Sequence, residues 1–319
     1  MPVAVTPFMA GCGADIDGVD IREPLRIEDR DTIRAAWLKH LVLRFRGQPL
    51  TDEQHMAFTR QFGELEYNPA RLIEEEYGVS VNAYGQPGRL PPEIAVVSNI
   101  IENGRRIGGL GDGDAFWHTD SSFVSAPPAA SLLRAIEVPP HSAGGATYFM
   151  NCYSAYETLP VTLKELIEGL TAIHVAGPMI RRLRRLEAGG LRRWAERAGG
   201  NDSADLLGAH HPLVRTHPET GRKALYLGRR VTHSGGRKAS LVGRRINARV
   251  VGLSSDDSET LLDVLWEHAM QEQFTWKQEW QVGDLVWWDN RCAMHRRDSF
   301  DPTTRRLLHR TQLRGLRPC

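Results

Sequence analysis

The sequence predicts a mainly β protein, a β-barrel or jelly roll with flanking helices. Three observations support this prediction: short apolar runs recur along the chain, Pro and Gly turns separate them, and few segments have helical spacing. Strands do not alternate regularly with helices, so the order of elements disfavours a parallel α/β fold. Composition agrees with a globular domain, since 41% of the residues are hydrophobic and 25% are charged.

Charge and cysteine content limit the possible partners. The formal net charge of the 319 residues is +1, which gives no reason to expect nucleic acid or an anionic membrane as a partner. No apolar run approaches the roughly 20 residues that span a bilayer, and the first residues lack the pattern of a secretory signal. The four cysteines lack metal-type spacing, so we expect free thiols in a reducing cytoplasm.

The first elements are two helices around a strand. Residues 29–39 have helical spacing of Ile33, Ala36 and Trp37, and residues 41–45 follow as a short β-like run. A second helix starts at Thr51 with the pattern of a capping box. Residues 64–93 are rich in Gly, Pro and Asn, which predicts a loop of the size that often serves as a functional lid.

The rest of the chain is predominantly strand-like, with helices predicted at 159–170 and 255–269. Strands are predicted at 94–97, 129–138, 147–150, 213–216, 224–227, 249–252, 273–281, 285–288 and 306–313. No repeat or long linker divides the sequence. We therefore expect one domain over residues 1–319 with lid segments at 64–93 and 175–210.

Two strongly basic segments have no assigned role. Residues 181–197 contain seven arginines interrupted by leucines and Trp194, and residues 229–245 are rich in Arg, Lys and Gly. The first segment fits either a helical lid with a cationic face or an ordinary solvated helix. For both segments three roles are compatible with the sequence: a lid, a subunit contact or solvent-facing surface.

Three residues form a candidate metal site. On a strand, His118 and Asp120 would point to the same face, and His295, which follows an apolar run and a turn, is the best third ligand. Two histidines and one carboxylate are the ligand set of non-haem Fe(II). A His-x-Asp pair alone is weak evidence, because about one is expected by chance. The remaining histidines are interpreted as structural or surface residues.

Two arginines near the C-terminus suggest an anion site. Arg306 and Arg310 would share one face of a strand, and a guanidinium can bind a carboxylate through two hydrogen bonds. The alternative is a surface strand with basic residues, because arginines are usually exposed.

These motifs resemble the taurine dioxygenase and 2,4-dichlorophenoxyacetate dioxygenase family of Fe(II)/2-oxoglutarate-dependent oxygenases. The matching stretches follow the family's order along nearly the whole chain. They are residues 60–65, 117–120, 144–147, 211–218, 288–291 with His295, and 305–306 with 309–310. The resemblance implies a double-stranded β-helix fold and a homodimer or homotetramer. It further implies Fe(II), 2-oxoglutarate and O2 as cofactor and cosubstrates, and release of succinate and CO2.

The resemblance also implies roles for individual residues. His118, Asp120 and His295 correspond to the iron ligands, and related halogenases lack the carboxylate, so Asp120 favours hydroxylation. Thr147 and Arg306 correspond to the partners of the distal carboxylate of 2-oxoglutarate. Arg310 falls where family members hold the anionic group of the primary substrate, for which we expect a small carboxylate rather than a sulfonate.

Two regions differ from the family pattern and leave the substrate undecided. The segment 228–246 is longer and more basic than usual, and residues 64–93 do not match the loop of the taurine enzyme. The alternative function is a non-catalytic β-barrel module that binds a metal and a ligand. Thr147 and Arg306 disfavour this alternative, because a simple metal site does not need them.

Overall fold

A computed structural model describes residues 2–9, 11–68, 90–175, 208–228 and 248–319. In these segments the strands are β1 (Ala4–Pro7), β2 (Ala14–Asp17), β3 (Val42–Phe45), β4 (Ala95–Ser98), β5 (Ile101–Glu102), β6 (Arg105–Arg106), β7 (Gly109–Leu110), β8 (Ala115–His118), β9 (Ala130–Glu137), β10 (Thr147–Asn151), β11 (Thr171–Val175), β12 (Gly208–Pro212), β13 (Val214–Thr216), β14 (Lys223–Leu225), β15 (Ala248–Val250), β16 (Thr275–Gln278), β17 (Leu285–Asp289), β18 (Ala293–Arg297) and β19 (Leu307–Leu313). The α-helices are α1 (Ile27–His40), α2 (Asp52–Arg60), α3 (Cys152–Glu157), α4 (Val161–Ile167) and α5 (Ser255–Ala269).

Two sheets form the centre of the molecule. The larger has the order β1-β2-β3-β17-β9-β19-β4-β7, and the smaller has the order β16-β10-β18-β8. Their inner faces share one apolar cluster, within which the rings of Trp288 on β17 and Phe149 on β10 lie 5.4 Å apart. Two largely antiparallel sheets that bury a common core are the arrangement of a jelly roll.

Helices α1 and α2 cover the outer face of the larger sheet. Trp37 of α1 packs against Trp287 of β17 with ring centroids 4.7 Å apart, and Phe58 of α2 packs against Phe45 of β3 at 5.5 Å. All four side chains are at most 2% exposed, and each such burial stabilises the fold by about 2–3 kcal/mol. The sheet is therefore buried on both faces here, which explains the continuous apolar run at residues 285–288.

Most helix predictions are confirmed, and one boundary was wrong. Thr51 and Gln54 form the predicted capping box at α2, and α5 spans the predicted residues. The helix predicted at 159–170 is shorter, because α4 begins after Pro160 and ends at Ile167, two residues before Gly169 with φ 74°. A separate helix, α3, precedes it and was not predicted.

Several predictions lie wholly or mostly outside the described residues. These are the basic segments 181–197 and 229–245 and most of the lid segments 64–93 and 175–210. The single-domain assignment stays a prediction. Within the described segments, no helix has both the length and the apolar composition that crossing a bilayer requires.

Candidate metal centre

Two neighbouring strands of the smaller sheet bring His118 and His295 together. Their Cα atoms are paired across β8 and β18, and their ring centroids lie 4.1 Å apart. Asp120 Oδ1 lies 3.7 Å from His118 Nε2 and 3.9 Å from His295 Nε2. All three ligand atoms lie within 4.8 Å of one another. Two imidazoles and one carboxylate at this spacing can bind one face of a non-haem iron ion.

Asp120 reaches this centre from a turn, whereas the sequence had suggested a strand. Strand β8 ends at His118, and Ser121 has a φ of 50° within the turn that follows. The buried ring of His211 holds this turn, because its Nε2–H donates to two carbonyls of the turn at 2.8 and 3.1 Å. The turn, rather than the alternation of a strand, therefore directs the carboxylate towards the two histidines.

A buried hydrogen-bond network fixes the other oxygen of Asp120. Ser131 Oγ donates to Asp120 Oδ2 at 2.7 Å and accepts from Asn290 Nδ2 and Gln312 Nε2, both at 2.9 Å. Asn290 Oδ1 in turn accepts from Trp288 Nε1 at 2.8 Å. Sequence reasoning missed Ser131 and Gln312. The available signal for Ser131 was a hydroxyl beside the apolar residues of β9, whereas Gln312 follows other polar residues on β19 and has no such signal.

The pKa shifts of Asp120 and His295 suit metal binding. Burial by itself raises the pKa of Asp120, but the Arg310 guanidinium, with smaller contributions from His295 and His118, holds it well below its usual range. Burial lowers the pKa of His295 well below its usual value, and the nearby His118 makes a smaller contribution in the same direction. His118 Nδ1–H donates to the carbonyl of Phe116 at 2.6 Å, which directs Nε2 towards the centre. A deprotonated carboxylate and neutral imidazoles are the forms that bind metals.

Arg306 and Arg310 are both buried, so the surface-strand alternative is wrong. Arg310 is 8% exposed, and its Nη1 lies 2.7 Å from Asp120 Oδ1. Arg306 is 1% exposed and immediately precedes β19, which begins at Leu307, so the two arginines do not share a regular strand. A register shift between Leu307 and Leu308 accompanies the start of β19.

Among the parts of the chain that the structure describes, the guanidinium of Arg306 has no compensating anion. Among the described residues, no carboxylate forms an ion pair with it, and its Nε is buried without a partner. Burial lowers the pKa of Arg306 well below its usual value, and the nearby Arg297 lowers it further. A buried cation without a counter-charge is costly, so this position suits an anionic ligand.

Thr147 lies at the start of β10, close to these cations. Its Cα is paired with that of Arg297, while the guanidinium carbons of Arg297 and Arg306 lie 5.2 and 5.8 Å from the centroid of the Phe300 ring. Thr147 Oγ1 accepts from Trp280 Nε1 at 2.9 Å. Its hydroxyl proton can therefore donate to a ligand oxygen.

A second group with metal-type side chains, His217, Asp289 and Cys292, has a structural explanation. His217 Nδ1 accepts from two backbone N–H groups at 3.2 Å, and its Nε2–H donates to Asp289 Oδ2 at 3.1 Å. Arg291 donates to both oxygens of Asp289 at 2.8 and 2.7 Å. Burial raises the pKa of the Cys292 thiol well above its usual value. Because the polar atoms are already paired and the thiol is protonated, this group stabilises the fold.

Comparison with known proteins supports the same chemistry. Residues 4–312 match the family described as taurine catabolism dioxygenase TauD, TfdA. The chain belongs to the TauD/TfdA family. It is 33% identical over 319 residues to the alpha-ketoglutarate-dependent 2,4-dichlorophenoxyacetate dioxygenase of Cupriavidus pinatubonensis, covering 97% of each chain. It is 30% identical to an alpha-ketoglutarate-dependent sulfate ester dioxygenase of Pseudomonas putida, covering 98% of this chain and 89% of that one.

The fold is also shared with a solved TauD/TfdA-like structure. The crystal structure of AAD-2 in complex with Mn(II) and N-oxalylglycine matches with a TM-score of 0.72 and 28% identity, covering 100% of this chain and 99% of that one. The predicted jelly roll, the class of 2-oxoglutarate-dependent dioxygenase and the requirement of that class for Fe(II), 2-oxoglutarate and O2 are thereby confirmed. Membership in a family of enzymes disfavours the alternative of a non-catalytic binding module.

Proposed function

We propose that this chain is an Fe(II)- and 2-oxoglutarate-dependent dioxygenase that hydroxylates a small anionic substrate and releases succinate and CO2. The observation that supports this most directly is the combination of two sites. A His-Asp-His cluster lies in the same core as the buried guanidinium of Arg306, which has no ion-pair partner in the described segments. A metal site alone would not need that cation, whereas a dicarboxylate cosubstrate would.

Each residue has a distinct proposed task. His118, Asp120 and His295 would hold iron, which would supply oxygen activation coupled to decarboxylation of 2-oxoglutarate. Arg306 would bind the distal carboxylate, and the free hydroxyl proton of Thr147 would donate to the same group. Fixing both ends of the cosubstrate before the reaction removes much of the entropic cost of alignment.

Arg310 is the proposed contact for the anionic group of the primary substrate. One of its five N–H donors is used by Asp120, and its Nε is buried without a partner. The guanidinium is therefore held beside the metal centre with N–H donors that can bind a ligand. A substrate anion bound there would place its neighbouring C–H bonds close to the iron.

The proposed substrate class is a small carboxylate. One relative acts, by its name, on 2,4-dichlorophenoxyacetate and another on sulfate esters, so the family accommodates different anions. Succinate release should be measured over a panel of aryloxyalkanoates, other carboxylates, sulfonates, phosphonates and sulfate esters. Stimulation by a sulfate ester or sulfonate, with none by carboxylates, would overturn the assignment to carboxylates.

Cosubstrate binding can be tested separately from turnover. Anaerobic addition of Fe(II) and then 2-oxoglutarate should produce a weak visible metal-to-ligand charge-transfer band. His118→Ala and His295→Ala should abolish the band, whereas replacement of the exposed His210 by Ala should leave it unchanged. A band of full intensity in His118→Ala would contradict the proposed metal centre.

Assembly and location are part of the same proposal. We infer a homodimer or homotetramer in the cytoplasm, and the four free cysteines, three of them buried, are consistent with a reducing compartment. Light scattering coupled to size-exclusion chromatography would measure the oligomeric state, and a mass equal to the 35.8 kDa of one chain would contradict it.

A further inference from the structure

We propose that Arg297 is a specificity-determining residue for the cosubstrate: together with Arg306, it makes the distal end of the site selective for a dianionic 2-oxo acid. This inference rests on the proposed function. Arg297 would act through its fixed charge rather than by direct contact. It is thus a positioning residue and not a catalytic one.

The position of Arg297 on β18 directs it into the core of the jelly roll. It follows His295 by two residues on the same strand, so the two side chains lie on the same face of the sheet. Its Cα is paired with that of Thr147 on β10, and paired residues of adjacent strands also share a face. Arg297 is 5% exposed. The strand therefore carries a proposed metal ligand and a buried cation side by side.

Hydrogen bonds to backbone carbonyls hold the guanidinium in place without neutralising it. Arg297 Nη1 donates to the carbonyl of Gly111 at 3.0 Å and Nη2 donates to that of Gly113. Its Nε is buried without a partner, and among the described residues no carboxylate forms an ion pair with it. Burial lowers the pKa of Arg297 to about 10, with an opposing effect of Asp112 and Asp114. The charge itself follows from the chemistry of arginine, whose guanidinium stays protonated in proteins at neutral pH.

Arg297 and Arg306 lie close enough to act on the same ligand. Both guanidinium carbons lie within 5.8 Å of the centroid of the Phe300 ring, and Arg297 is close enough to Arg306 to lower its pKa. Two buried cations repel each other, and the repulsion is relieved when a carboxylate binds to Arg306 within range of the Arg297 charge. A 2-oxo acid without a distal carboxylate cannot provide this relief. Arg297 should thus raise the affinity for 2-oxoglutarate selectively, on the order of tenfold for one buried charge that acts without direct contact.

The experiment compares two 2-oxo acids on the same protein. Dissociation constants of 2-oxoglutarate and of the monoanion 2-oxopentanoate are measured by titration calorimetry on Mn(II)-loaded protein, which requires no turnover. Arg297→Gln should weaken 2-oxoglutarate about tenfold and change 2-oxopentanoate by no more than about twofold. Arg297→Lys, which keeps the charge, should retain most of the selectivity.

Arg296 provides a matched control on the adjacent position of β18. Its side chain lies on the opposite face, over the ring of Tyr148 at 3.8 Å and paired with Asp298, so Arg296→Gln should leave both affinities unchanged. Equal weakening of both acids in Arg297→Gln would overturn the inference, because it would indicate a purely structural role for the bonds to Gly111 and Gly113. Loss of selectivity in Arg297→Lys would overturn it as well. Failure of the wild-type protein to bind 2-oxoglutarate would instead contradict the proposed function.

Discussion

Removal of the Ser131 hydroxyl should weaken metal binding as well as the fold. Ser131 is fully buried and makes three hydrogen bonds, one donated to Asp120 and two accepted from Asn290 and Gln312. In Ser131→Ala, the 3.5 Å contact with Gln312 is the one that Asp120 Oδ2 retains among the described residues. The carboxylate would then be held mainly by Arg310 through Oδ1, and its orientation towards the two histidines would be less firmly fixed.

The magnitude follows from the groups that lose partners. Two buried N–H donors and one carboxylate oxygen are left without the Ser131 hydroxyl, and each unsatisfied buried group costs about 1–3 kcal/mol. Local rearrangement of the two amides recovers part of this, so we expect a loss of about 2–4 kcal/mol in the free energy of unfolding. Loss of a group that orients a metal ligand lowers metal affinity by roughly 10- to 100-fold.

The assay combines denaturant unfolding of the metal-free protein with Fe(II) or Mn(II) titration against a chelator of known affinity. Ser258→Ala is the matched control, since Ser258 is 1% exposed and accepts one hydrogen bond from Val250 N at 2.9 Å, within the contact between α5 and β15. The control should lose stability but keep its metal affinity. Unchanged metal affinity in Ser131→Ala, or an equal loss in Ser258→Ala, would refute the role assigned to the network.

Two further predictions concern ligand selectivity and pH. Arg306→Ala should raise the dissociation constant of 2-oxoglutarate at least tenfold and leave that of the primary substrate unchanged, and Arg310→Ala should show the reverse selectivity. Both constants are measured by equilibrium titration. Equal loss of affinity for both ligands in either variant would contradict the assignment. Burial lowers the pKa of His55 from 6.5 to about 3. As the pH falls, the His55 imidazole is therefore protonated in the unfolded state before it is protonated in the folded state. The free energy of unfolding should thus decrease as the pH drops from about 6.5 towards 3, by about 2 kcal/mol at pH 5. His55→Gln should reduce the pH dependence of the free energy of unfolding, measured by urea denaturation, whereas the same change at the exposed His210 should not.

Local patterns were sufficient to predict the elements whose sequence periodicity matches their burial. Helix α5 has both a capping serine and a regular apolar face. The capping box at Thr51 likewise depends on neighbouring residues alone. Such features are encoded within a few residues, so one sequence is enough to recognise them.

The missed features depend on contacts between distant parts of the chain. The ion pair of Asp120 with Arg310 joins residues 190 positions apart, and the bond between Gln312 and Ser131 joins residues 181 apart. The turn at Ser121 with positive φ and the register shift before Leu308 interrupt the strand alternation on which the sequence reasoning relied. Resemblance to the family supplied the site residues, but only the folded structure indicates which groups orient them.

The charges of the centre support an anionic primary substrate. Arg297, Arg306 and Arg310 contribute three buried cations, and Asp120 contributes one anion. Under the proposed roles, iron and 2-oxoglutarate add charges of +2 and −2, so together they leave the excess positive charge unchanged. The cosubstrate compensates Arg306 and Arg297 at its distal end, while Arg310 shares Asp120 with the metal and so loses part of its counter-charge when iron binds. An anion beside Arg310 restores that compensation, so the affinity for the primary substrate should increase after the metal has bound.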